Sequence, residues 1–196
     1  MTQRQQQAME TKEHIMSVAL NLLKDYPYDK LSLHKICTEA KVSTGAFYHH
    51  FKGKQDLIVE GYKNCDEYFS EHILNELVGD TYTDRIKEYL ICQMKYAQNV
   101  GIDIMIQLYK AQITEANDYF LQIERGLPDG LNKLICNAQK NNEIRNDISS
   151  EDITSELLLI SRGIIYNWCQ NKGEYNLEKK CESIISNHLE AFIIKK

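Results

Sequence analysis

Apolar residues recur at three- and four-residue intervals along almost the whole chain, and no stretch alternates apolar with polar residues as a half-buried strand would. The pattern predicts an all-α protein of about nine helices. A first stripe, Ile15, Val18, Ala19, Leu22 and Leu23, follows Thr11, the expected N-cap, and stops at Asp25-Tyr26-Pro27. Residues 1–10 carry no stripe and are expected to form a frayed arm. Ser32 is placed to cap a second helix carrying Leu33, Ile36, Cys37 and Ala40. After Lys41-Val42, Ser43 is placed to cap a short third helix through Phe51. Lys54 opens a long helix with Leu57, Ile58, Gly61, Tyr62, Cys65, Phe69 and Ile73, ending near Gly79.

Beyond this point the spacing predicts helices over about 83–99, 102–113, 118–141, 150–168 and 177–194, with Pro128 kinking or restarting the third of these. Gly163, inside a helical run, suggests a close backbone approach or a tolerated weak point. The expected organisation is a head at residues 1–55, a connecting helix at about 54–78, and a larger helical domain at 79–196.

Composition narrows the class. With 43% hydrophobic residues in 196, the chain can bury a core without disulfides or metals. No apolar run reaches the roughly 20 residues of a membrane span, and the polar N-terminus does not read as a signal peptide. A cytoplasmic protein is expected. Cys37, Cys65, Cys92, Cys136, Cys169 and Cys181 lie far apart at positions where helix patterns call for small apolar residues, so free thiols are expected. The net charge of −5 is unevenly spread: residues 1–60 sum to +1 with four of the six histidines, and the remainder to −6. A DNA-contacting head on an acidic body fits that asymmetry.

Two helices joined by a very short turn, the second one short and polar outside, describe a helix-turn-helix. Ala40 and Val42 are small enough for close helix approach, Gly45 and Ala46 leave room for a groove, and Tyr48, His49 and His50 supply donors, acceptors and ring faces. Phe47 and Phe51 suit the core better than base stacking. For Tyr48 packing is the alternative to DNA contact; for His50, a buried structural histidine; for His49 and Lys54, plain solvation.

At these residues the chain resembles the DNA-binding domain of the TetR family of bacterial repressors, over about residues 11–62. The shared pattern is Ile15 and Ala19, Ser32, Ala40-Lys41-Val42-Ser43, Gly45, Phe47-Tyr48, His50-Phe51, Lys54 and Leu57. Lys41 departs from it, standing where the family usually has Gly; a left-handed backbone there costs a non-glycine residue about 1 kcal/mol. The resemblance implies that Thr44, Gly45, Tyr48, His49 and His50 face the DNA. It implies that Lys54 holds a phosphate and that Ser32, Ser43 and Thr11 add backbone contacts. It also implies a ligand-responsive regulator, a dimer on a palindromic double-stranded operator released by a small-molecule effector, and no enzymatic activity.

The larger domain carries no metal, phosphate-loop, nucleophile-elbow or acid–base motif, and no cofactor is expected. Tyr96, Met105, Tyr109, Phe120 and Tyr166 are candidates for an effector pocket, ordinary packing being the alternative for each. Wide stripes on the last two helices, with Ile164, Trp168, Ile185, Leu189 and Phe192, suggest a homodimer built as a four-helix bundle. Two further readings stay open: an architectural or partner-regulated DNA-binding protein without an effector, and a helical small-molecule-binding protein, a carrier or an enzyme.

Overall fold

The computed structural model describes residues 2–114, 122 and 125–194. Among these the architecture is all-helical: α1 (Gln3–Asp25), α2 (Leu33–Glu39), α3 (Thr44–His50), α4 (Lys54–Tyr68), α5 (Leu74–Glu76), α6 (Tyr82–Val100), α7 (Ile102–Thr114), α8 (Gly126–Lys140), α9 (Ser150–Gln170) and α10 (Leu177–Leu189). A π-helical turn, Phe69–Ile73, joins α4 to α5, so nine continuous helices run through the described residues. None is long and apolar enough to cross a membrane.

The described residues divide into two compact units. One lies within Met1–Lys63 and Gln107–Ala116, the other within Asn64–Ile106 and Asn117–Lys196, and the boundary falls inside α4 and α7. In the first unit Ile15 and Ala19 of α1, Ile36 and Cys37 of α2, Ala40 at its C-cap, Phe47, Phe51, Leu31 and Leu57 form one buried cluster. Helical spacing puts Ile15 and Ala19, and Ile36 and Cys37, on the inward faces of their helices, and Leu31, Ala40 and Phe51 join them from the helix ends and turns.

The start of α1 differs from the expectation. Thr2, not Thr11, is the N-cap: its Oγ1 accepts from the Gln5 amide at 3.3 Å, and the Gln5 side chain accepts from the Thr2 amide at 2.8 Å. This reciprocal cap, followed by good helix formers, carries the helix through residues that bury almost nothing. Thr11 lies mid-helix, its hydroxyl donating to the Gln7 carbonyl at 2.8 Å.

In the second unit α6 packs against α8 and α10, and α9 packs against the same two helices. Tyr89 of α6 is fully buried and donates to the Leu127 carbonyl at 2.9 Å. Gly130 makes room for it, since a Cβ there would stand 2.3 Å from the phenol oxygen. Pro128 falls in the first turn of α8, where a missing N–H is harmless, so it begins the helix and does not kink one. The start expected near residue 118 lies outside the described residues.

α10 stops at Leu189, short of the expected 194. The chain turns, and Ile193 pairs in an antiparallel bridge with Ile144: the Arg145 amide donates to the Phe192 carbonyl at 2.9 Å, and the Ile194 amide to the Glu143 carbonyl at 3.0 Å. All six cysteines are free; Cys37, Cys65, Cys169 and Cys181 are buried, while Cys92 and Cys136 are half-buried.

The expected dimer residues occupy a different place from the one foreseen. Ile164, Trp168, Ile185, Leu189 and Phe192 are all buried within the single chain, none more than 7% exposed. They hold the core of the subunit, because α9 and α10 pack their widest apolar faces on their own neighbours. The outward stripe of α9 carries Leu159, 72% exposed, then Gly163 and Tyr166. Nothing lies within 4 Å of a Cβ built on Gly163, so no close approach occurs there within the subunit.

Candidate DNA interface and ligand cavity

The helix-turn-helix follows from three local devices. Ser32 caps α2, its Oγ accepting from the Lys35 amide at 3.1 Å. At the other end of α2, Lys41 takes φ 55°. Its amide donates to the Thr38 carbonyl at 3.1 Å, and the Val42 amide reaches back to the Cys37 carbonyl at 3.0 Å. These two bonds make a Schellman-type termination with lysine in the left-handed position where glycine is usual. Ser43 then caps α3, its Oγ accepting from the Ala46 amide at 3.0 Å.

The period of α3 sorts its side chains. Phe47 is 0% exposed, and its ring lies 5.3 Å from that of Phe51. Tyr48 is 59% exposed, and its ring meets that of Phe47 edge to face with centroids 5.7 Å apart. Thr44, Gly45 and His49 are exposed, as is Ser43, and His50 is half-buried. Burial, with His49 and Lys12 nearby, lowers the His50 pKa below the ordinary histidine value. Its imidazole is therefore neutral at physiological pH and can both donate and accept a hydrogen bond.

Lys54 stands apart from this exposed set. Its ammonium donates to the carbonyls of Tyr28 (2.6 Å) and Leu31 (2.8 Å) and sits 4.1 Å over the Tyr28 ring. Ties of the same kind, which no local pattern announces, fix the rest of the unit. His14 Nε2 lies 3.1 Å from the Ala40 carbonyl, Lys12 pairs with Glu60 at 2.7 Å, and Lys35 stacks 3.4 Å over Tyr26.

In the second unit a cavity of about 400 Å³ is lined by Tyr68, Ile73, Glu76, Cys92, Lys95, Tyr96 and Asn99. The π turn forms part of its wall, and a turn of this kind widens the helix and often marks a functional site. Tyr68 and Tyr96 stack with ring centroids 6.0 Å apart. Burial pushes the Tyr96 phenol well up, so it stays a protonated donor, and burial likewise raises the Cys92 thiol. Of the effector candidates among the described residues, only Tyr96 lines this cavity. Met105 is buried on α7, Tyr109 belongs to the first unit, Tyr166 is 45% exposed on α9, and Phe120 lies outside the described residues. Sequence reasoning missed Tyr68, Ile73, Glu76, Cys92, Lys95 and Asn99, whose grouping depends on a π turn that periodicity does not reveal.

Known proteins resemble this chain in sequence and fold. A family model for bacterial regulatory proteins of the tetR family matches residues 15–60. The chain is 45% identical over 211 aligned positions to the HTH-type transcriptional regulator AcrR of Shigella flexneri, covering 96% of this chain and 92% of that protein. It belongs to the TetR family and is a DNA-binding transcriptional regulator, not an enzyme. A second relative, the probable acrEF/envCD operon repressor of Escherichia coli, is 24% identical over 95% of this chain and 89% of its own length. In fold the chain resembles the Thermus thermophilus repressor FadR, solved with lauroyl-CoA, at TM-score 0.77 and 16% identity over 94% of this chain and 96% of that one.

Proposed function

We propose that the protein is a ligand-responsive repressor that binds a palindromic operator as a homodimer and leaves it when a small molecule occupies the second unit. It acts in the cytoplasm, where its DNA is. The functional domains are residues 1–55 for DNA and 79–196 for effector and partner, joined by the helix at about 54–78. The observation that carries this reading is the outer face of α3. Thr44, Gly45, Tyr48 and His49 are exposed together on a helix whose other face is locked into a core by Phe47. With His50 these residues supply the base-edge contacts, while Ser32 and Ser43 supply the backbone contacts.

The effector's place is the cavity beside Tyr68 and Tyr96, whose volume falls within the range of about 300–1,000 Å³ typical of small-molecule sites. A ligand there can release DNA only by preferring a form of the dimer whose heads no longer match successive major grooves. The partner is a second copy of this chain seated on the outward stripe of α9, where Leu159 and Tyr166 leave apolar surface uncovered. An interface of this kind should bury more than about 1,000 Å².

Leu159→Asp places a charge on that stripe without touching the core. Light scattering at micromolar concentration is expected to give the mass of two chains for the wild type and one for the variant, with operator affinity lost in parallel. A wild-type monomer, or a variant that stays dimeric and binds operator normally, contradicts the proposal.

A further inference from the structure

We infer that His14 is a positioning residue for DNA binding: by holding the Ala40 carbonyl it locks the Ala40–Lys41 peptide in the one orientation that lets a lysine serve as the left-handed residue of the α2–α3 turn. Lys41 has φ 55° and stands between the C-cap of α2 at Ala40 and the Ser43 cap of α3. A residue with a Cβ is disfavoured in that conformation, which glycine adopts freely. Relief comes from rotating the Ala40–Lys41 peptide plane, because that rotation carries the Lys41 φ back to negative values.

Both ends of that peptide are held. Its N–H donates to the Thr38 carbonyl at 3.1 Å, and its carbonyl oxygen lies 3.1 Å from His14 Nε2. A carbonyl only accepts, so Nε2 carries the hydrogen. The bond from the Val42 amide to the Cys37 carbonyl acts on the next peptide along, and among the described residues no backbone amide donates to the Ala40 carbonyl. His14 is well placed to do so. It precedes Ile15, which is fully buried in the core of the unit, and Lys12, two residues earlier, pairs with Glu60 of α4 at 2.7 Å. Ser43 caps α3 only two residues beyond Lys41, so a rotated peptide would shift the end of the helix that carries Thr44 and Gly45.

The inference rests on the reading that α3 enters DNA, and its test begins without DNA. His14→Gln keeps an N–H near the position of Nε2. His14→Asn puts its amide near the position of Nδ1, short of the carbonyl, and His14→Ala removes the donor. Hydrogen exchange at the Lys41 and Val42 amides of the unbound protein should quicken about fivefold in the Asn and Ala variants, the scale of one lost hydrogen bond, and keep the wild-type rate in His14→Gln. Binding to a DNA fragment selected from a random pool by the wild-type protein should weaken by a similar factor in the same two variants. The slope of log K against log salt should not change. Lys41→Gly removes the strain, so His14→Ala added to it should weaken binding less than about twofold relative to Lys41→Gly alone.

No change in His14→Ala, equal losses in all three variants, or an undiminished loss in the glycine background overturns the inference. So does a fall in the salt slope of about 1.8, which would make His14 a phosphate contact in each protomer of a dimer. If the wild type selects no DNA at all, the regulator reading fails instead, and the exchange rates still decide whether His14 holds the turn.

Discussion

Arg125→Ala is expected to lower the stability of the second unit by about 3–5 kcal/mol, the usual cost of removing one member of a buried ion pair. Asp66 and Arg125 are 6% and 8% exposed, and one guanidinium nitrogen lies 3.1 and 3.0 Å from the two carboxylate oxygens. The same carboxylate accepts from the Leu127 amide at 3.1 Å, in the first turn of α8. α8 has no capping side chain of its own, so Asp66 caps it from a distance and meets the positive end of its dipole. The approach is so tight that a Cβ on Gly126 would stand 2.0 Å from the Asp66 carbonyl. Without Arg125 the buried carboxylate loses this counter-charge while the Leu127 amide still donates to it. Urea unfolding followed by circular dichroism measures the loss, and a change below about 1 kcal/mol would show that water or another group replaces the guanidinium.

Phe47→Ala should act on the other unit with comparable size. A fully buried phenylalanine cut to alanine costs about 3–5 kcal/mol, and Phe47 sits where α1, α2 and α3 share their core. The first unit is small, so a loss of that size removes much of its stability. Affinity for operator and for random DNA should both collapse. Hydrogen-exchange protection in α6, α8, α9 and α10 should persist, because those helices have a separate core. A variant that still binds DNA at wild-type affinity would mean that α3 is not held by this residue.

The helix-turn-helix was legible because its signals are local. Ser32 and Ser43 cap within three residues, Phe47 and Phe51 repeat at helical spacing, and the chain reversal at Lys41 lies between them. The start of α1 escaped because residues 3–10 carry no apolar stripe; the Thr2–Gln5 capping box was the available sign. The end of α10 escaped for the opposite reason. Phe192 and Ile193 continue the apolar pattern, yet the backbone there pairs with residues 143–145, a choice made by tertiary contact.

Periodicity also marks a face as apolar without saying what covers it. Ile185 and Leu189 turned out to be covered by their own chain, and Leu159 was left outside. The bonds of Lys54 could not be read from its position alone, because its partners are carbonyl oxygens 23 and 26 residues away. The cavity depends on a π turn, and the Asp66–Arg125 pair joins residues 59 apart. Neither leaves a mark in a local pattern.

The central claim is that α3 enters the major groove of DNA, once from each protomer. Guanine N7 is exposed only in that groove, so dimethyl sulfate protection reports the contact directly. Operator fragments selected from a random pool by the wild-type protein should show two symmetric clusters of N7 protection. Their centres should lie about 10 base pairs, or a multiple of that, apart. Protection in one cluster only, or strong binding with every guanine N7 still reactive, would contradict the account.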